Sequence, residues 1–218
     1  MGKVIAIDGP SGAGKSTIAR MLAERLGFTY LDTGALYRAV AFLFLREGIT
    51  PEDDDKALEV ILRHAEIRFE QGQVILNGKD VSSEIRTPEV GHYSSVFSAR
   101  KVVRDLLLDV QRNASSDHDI VAEGRDTTTV VFQDAYKKFY MDASMGERVR
   151  RRHCQLEEMG IHATWAEAEK DVRERDERDR GRDIAPLTRA KDAIIIETTG
   201  KSIEQILDAL MEAVRVHP

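Results

Sequence analysis

Along most of the chain, short apolar runs alternate with longer stretches whose apolar residues recur every three or four positions. Residues 4–7, 28–31, 120–122, 138–141 and 193–197 have the length and composition of buried strands. After the first run, Ile18, Met21, Leu22 and Leu26 mark one face of a helix, and Gly27 supplies its stop. Such alternation predicts an α/β fold in which a parallel sheet is covered by helices. Later helix starts carry capping-box pairs, Ser144 with Glu147, Thr164 with Glu167 and Ser202 with Gln205.

The stretch from about residue 49 to 104 breaks this rhythm. Thr50-Pro51 opens a helix carrying Leu58, Ile61 and Leu62. Strands follow at 67–69 and 74–76 around Gln71-Gly72, and Asn77-Gly78 signals a further tight turn. Thr87-Pro88 begins another helix, and Val102, Val103, Leu106, Leu107 and Val110 bring the chain back toward the core. A small antiparallel sheet inside an α/β chain reads as an insertion. Nearer the C-terminus, residues 172–183 read VRERDERDRGRD, with five arginines among acids and Gly181 and Pro186 limiting the helix. This run is either a solvated face laced with salt bridges or an arginine-bearing lid.

With 218 residues, 42% hydrophobic and 32% charged, the chain suits one sizeable core. Its net charge of −6 disfavours a polyanion such as nucleic acid as partner. No run is long enough to cross a bilayer, and the opening MGKVIAID leads into a strand with no basic n-region or long apolar h-region. The single cysteine, Cys154, excludes an intrachain disulfide. A cytoplasmic protein without membrane or nucleic-acid partner, acting as a monomer, is the expectation.

The strongest chemical signal is GPSGAGKS, residues 9–16, a full match to the phosphate-binding loop G-x-x-x-x-G-K-[ST] between a strand and a helix. Gly9, Pro10, Ser11, Gly12, Ala13, Gly14, Lys15, Ser16 and Thr17 are the candidate triphosphate-binding residues. Backbone N–H groups cradle the phosphates, Lys15 adds a mobile charge, and the Ser16 hydroxyl is the candidate Mg2+ contact. No carboxylate ligand is assigned: Asp8 qualifies by position alone, and Glu123 has other uses open to it. Two segments at the C-terminal ends of strands suit a second substrate: Asp32-Thr33-Gly34-Ala35-Leu36-Tyr37-Arg38, and Glu123-Gly124-Arg125-Asp126. Arg125 suits bidentate phosphate binding and Asp126 could accept from an exocyclic amine, although the two could simply pair with each other.

GPSGAGKS, DTGALYR, EIRTPEV, EGRDTTTVVF and RDERDRGRDIAPL occur in order, and together they resemble the bacterial cytidylate kinases over nearly the whole chain. The resemblance implies a single P-loop kinase domain, residues 1–218, a three-layer sandwich around a parallel five-stranded sheet. It also implies a CMP-binding insert at about 39–104 and a helical lid at about 150–184. The implied reaction is ATP-dependent phosphorylation of CMP and dCMP with Mg2+. The alternatives are a P-loop kinase for another nucleotide or metabolite, and a nucleotide-binding switch.

By the same resemblance Arg38 and Arg125 hold the CMP phosphate, while Thr33, Arg104 and Asp126 read the cytosine. Ser95, Arg175 and Asp179 lie near the sugar, and Arg151 and Arg182 close over the phosphates; Lys15, Arg125, Arg151 and Arg182 are the implied catalytic charges. His92 and Tyr93 receive no role. The chain departs from the family at Thr33, where many members have serine, and at Thr128, where they have glycine, which puts the loop after Asp126 in question.

Overall fold

The computed structural model describes residues 2–70 and 72–216. Its centre is a five-stranded parallel sheet in the order β2-β6-β1-β7-β8, formed by β1 (Val4–Asp8), β2 (Thr29–Asp32), β6 (Ile120–Gly124), β7 (Lys137–Asp142) and β8 (Ile194–Glu197). Alternate residues of the central strands feed two cores, as the two-residue strand period requires. Val4 and Ala6 of β1 pack with α2 (Thr33–Arg46), α4 (Pro88–Phe97) and α5 (Lys101–Asn113), whereas Ile5 and Ile7 pack with α1 (Lys15–Leu26) and α8 (Ile203–Arg215). The result is the expected helix–sheet–helix sandwich.

Residues between α2 and α5 form α3 (Asp55–Leu62) and a three-stranded antiparallel sheet, β3 (Ile67–Glu70), β4 (Gln73–Leu76) and β5 (Lys79–Asp80). The Asn77-Gly78 turn is present, with φ of 49° and 77°, the pairing that a two-residue hairpin of this hand demands. Gln71 of the other turn lies outside the described residues. Leu58, Ile67, Val74 and Leu76 join the same apolar cluster as Leu31, Leu36 and Phe44. The insert is thus packed onto the main core rather than tethered to it. Residue 39, where the insert was expected to begin, falls inside α2, and residue 150 falls inside α6 (Met145–Glu158).

Two local expectations need correction. The helix expected at Thr50-Pro51 starts at Asp55, because Thr50 donates from both N and Oγ1 to Asp53, closing a turn, and Asp54 then caps Ala57 N at 2.9 Å. The Ser144 box is half-formed. Ser144 accepts from Glu147 N at 3.3 Å, but the Glu147 carboxylate turns to Arg150 and Arg151, and Ser144 N donates instead to Thr199 Oγ1. Thr164 and Ser202 make complete boxes.

Helices α6 and α7 (Trp165–Arg180) pair through a small apolar cluster of their own, Val149, Leu156, Ala168 and Val172. Their attachment to the remainder is mainly polar, and this decides how the site is built.

Candidate active site

Asp8, Asp32 and Gly124 end β1, β2 and β6 at one edge of the sheet, and the segments that follow them converge there. Gly9 must be glycine for packing: at φ 153° its missing Cβ would lie 2.0 Å from the Met141 carbonyl oxygen of β7. Gly14, in the left-handed region, precedes α1, and no side chain caps that helix. The first-turn N–H groups are left for an anion. Lys15 is buried, donates through Nζ to Pro10 O at 2.7 Å, and has its pKa lowered to about 7, first by burial and then by the Arg125 charge. Ser16 Oγ donates to Glu123 Oε1 at 2.5 Å, and Tyr30 OH donates to the same oxygen at 3.1 Å.

The lower face of the loop is held by the α6–α7 pair. Arg148 donates to Ser11 O at 3.1 Å, Asp176 accepts from Ser11 N at 3.2 Å, and these two side chains form a buried ion pair. Arg151 donates to Gly12 O at 3.3 Å and to Thr198 O and Oγ1 at 2.9 and 3.0 Å.

Across the cleft, Asp32 accepts from Arg38 at 2.7 Å while capping α2 through Ala35 N. Arg125 pairs with Asp179 at 2.7 Å, not with its neighbour Asp126, and Arg182 pairs with the other oxygen of Asp179. Asp126 instead forms a buried pair with Arg104, which also donates to Ser98 O at 3.0 Å and lies over the Tyr37 ring. Burial raises the Asp126 carboxyl to about 6 against the pull of Arg104. Thr33 donates its hydroxyl hydrogen to Glu123 O at 2.7 Å, so toward the cleft it is an acceptor.

The electrostatics of this cleft of about 700 Å3 are unbalanced toward positive charge. Lys15, Arg38, Arg125, Arg175 and Arg182 all line it. Burial and the nearby Arg125 lower Arg175 to about 10. Among the described residues, the buried side-chain polar atoms without a partner are Thr129 Oγ1 and the Nε atoms of Arg38, Arg175 and Arg182. Unsatisfied guanidinium donors crowded together in a cleft are poised for an anion.

Of the residues singled out from sequence, Ser11, Gly12, Gly14, Lys15, Ser16, Thr17, Thr33, Arg38, Ser95, Arg125, Asp126, Arg151, Arg175, Asp179 and Arg182 line this one cleft. Gly9, Pro10 and Ala13 are buried beneath it, and Arg104 stands behind Asp126. Asp8 is removed from the metal candidates: it is fully buried and accepts four hydrogen bonds from Thr127 and Thr128. Glu123, unlike Asp8, lines the cleft and accepts a hydrogen bond from Ser16, the candidate Mg2+ contact. Arg148, Asp176 and Arg178, which donates to Ser95 Oγ at 3.2 Å, were missed from sequence. Nothing in their spacing separates them from the other charges on their helices.

Gly124 is where Thr33 and Thr127 meet, and an added Cβ would lie 2.5 Å from Thr33 Oγ1 and 2.8 Å from Thr127 Cγ2. Gly124→Ala is expected to cost about 1–3 kcal/mol in urea unfolding, since the added methyl must displace Thr33 or Thr127.

The sequence model of the family described as cytidylate kinase matches residues 5–216. The cytidylate kinase of Thermodesulfovibrio yellowstonii is 48% identical, covering 98% of each chain, and that of Thermotoga sp. strain RQ2 is 44% identical, covering 99% of this chain and 98% of the relative. Shikimate kinase from Bacteroides thetaiotaomicron superimposes with a TM-score of 0.52 at 13% identity, covering 98% of this chain and 99% of the other, a likeness of fold alone. The family model across residues 5–216 and relatives 44–48% identical over nearly the whole length show that this chain belongs to the cytidylate kinase family.

Proposed function

We propose that the protein transfers the γ-phosphoryl group of ATP to the phosphate of CMP, and of dCMP, giving the diphosphate and ADP. The observation that carries this reading is the continuity of the cleft. The phosphate loop with Lys15, the arginines whose Nε atoms lack a partner, and Thr33 with Asp126 all line it. An acceptor phosphate is already anionic, so no nucleophilic side chain is required, and positioning and charge neutralisation supply the catalysis. Arg38 and Arg125 hold the acceptor phosphate. Lys15 and Arg182 neutralise the transferring group. Arg151 adds charge while fastening Gly12 to the Thr198 loop. Asp126 and Thr33 are two acceptors facing the cytosine amine, with Arg104 holding Asp126 in place. Ser95, Arg175 and Asp179 border the sugar.

The oxygen donors Ser16 and Glu123 suit Mg2+, which when bound with ATP adds positive charge at the phosphates. Among the described residues no cluster of three or more His, Cys, Asp or Glu stands ready to hold a metal without the nucleotide, and no helix is long and apolar enough to cross a membrane. We assign the segment between α2 and α5 to CMP binding and the α6–α7 pair to the lid.

Incubation with ATP, with and without CMP, followed by separation of the nucleotides tests the reaction. CDP and ADP should appear in equal amounts and only with CMP; ADP formed equally in its absence would favour a switch or simple hydrolase. For the lid, hydrogen exchange across residues 172–183 should slow when an ATP analogue and CMP bind together, and unchanged exchange would make the segment a fixed wall of the cleft rather than a lid.

A further inference from the structure

Asp8 is a buried charge in the last position of β1, immediately before the phosphate loop, and the phosphoryl-transfer scheme gives it no task. Its two oxygens are fully engaged. Oδ1 accepts from Thr127 N at 2.9 Å and Thr127 Oγ1 at 2.6 Å, and Oδ2 accepts from Thr128 N at 2.8 Å and Thr128 Oγ1 at 2.5 Å. Both threonines are buried, and they open the single π-turn Thr127–Val131. In that turn Val130 N and Val131 N converge on the carbonyl of Asp126, at 2.9 and 3.2 Å. Wide turns of this kind are uncommon and concentrate at functional sites. The Asp126 side chain is therefore aimed by a turn whose first two residues are pinned to the start of the phosphate loop.

We propose that Asp8, Thr127 and Thr128 form a clasp that positions the base-reading carboxylate Asp126 and fixes its distance from the phosphate loop. The clasp rests on the reading of Asp126 as a contact to cytosine. It gives the hydroxyl of Thr128 a use, since backbone N–H groups alone would leave half of the four acceptor bonds on Asp8 unfilled. Thr127 and Thr128 are positioning residues, because both are buried and neither lines the cleft. The effect should fall on the base and spare the triphosphate: the phosphate loop is held independently through Ser11, Gly12 and the Arg148–Asp176 pair.

The test compares Thr128→Val, which keeps shape and loses the hydroxyl, with Thr128→Ser, which restores it, and with Thr128→Gly, which keeps the backbone donor in case valine fails to fold. Steady-state kinetics should show the KM for CMP rising roughly tenfold in Thr128→Val and Thr128→Gly, corresponding to one factor of ten in binding. The KM for ATP should stay within twofold, and Thr128→Ser should behave as wild type. A merely structural role would lower the active fraction and melting temperature without separating the two KM values. An unchanged KM for CMP, parallel rises in both KM values, or failure of serine to rescue would overturn the clasp. Amide exchange at residues 127–131 reads the clasp without turnover: faster exchange in the valine and glycine variants upholds its hold on the turn, unchanged exchange rejects it, and wild-type enzyme inactive on CMP would overturn the base-reading role of Asp126 separately.

Discussion

Replacing Lys15 with Met lowers kcat by roughly a hundredfold or more while the circular dichroism remains that of the wild type, because the change removes a charge facing the transferring phosphoryl group. The fold should not suffer. Lys15 is buried with Arg125 and Arg175 acting against its charge, so a neutral side chain of similar length relieves repulsion rather than creating it. The same crowding sets a pH signature. With its pKa lowered to about 7, Lys15 is charged below that pH and neutral above it, so kcat/KM for ATP should fall as pH rises through about 7. Bound phosphates pull the pKa back up, so kcat at saturating nucleotide should lack this limb. Lys15→Met should lose it from kcat/KM as well. A folded Lys15→Met enzyme with kcat near wild type contradicts the assignment.

How far sequence reached depends on whether a signal was local. The phosphate loop, the strand ends and the paired caps at Thr164 and Ser202 depend on neighbours a few residues away, and all were legible. The capping pair at Ser144 failed because Glu147 had a better use: Arg150 and Arg151 compete for its carboxylate, and Thr199, 55 residues distant, takes the Ser144 N–H. The same distance effect hid Asp8, whose partners lie 119 and 120 residues away. It also left the partner of Arg125 open. Adjacent Arg125 and Asp126 could have neutralised each other, but the π-turn sends them apart, one to Asp179 of α7 and the other to Arg104 of α5. Residues recognised by family resemblance mostly reached the cleft, whereas those that support the cleft from behind had no motif to reveal them.

Asp126→Asn should reshape base choice, and the Arg104 pair decides in which direction. Cytosine presents an amine where uracil presents a carbonyl, so a carboxylate there favours CMP by a few kcal/mol, roughly a hundredfold or more in kcat/KM. Arg104 has only donors, so an amide at position 126 turns its oxygen to Arg104 and its NH2 toward the base. That arrangement opposes the cytosine amine and accommodates the uracil carbonyl. The gap should narrow chiefly through loss of CMP activity, with UMP unchanged or improved. The variant should also unfold more easily, by up to about 3 kcal/mol, because Arg104 is left buried beside a neutral partner. Equal weakening of both substrates would remove Asp126 from base reading.

The central claim is that one continuous cleft selects a cytosine monophosphate and phosphorylates it from ATP. A coupled ADP-release assay with CMP, dCMP, UMP and AMP at matched concentrations tests it most directly. CMP and dCMP should give sustained turnover, with UMP and AMP lower by roughly a hundredfold in kcat/KM; comparable rates with all four acceptors, or a preference for UMP or AMP, would contradict it.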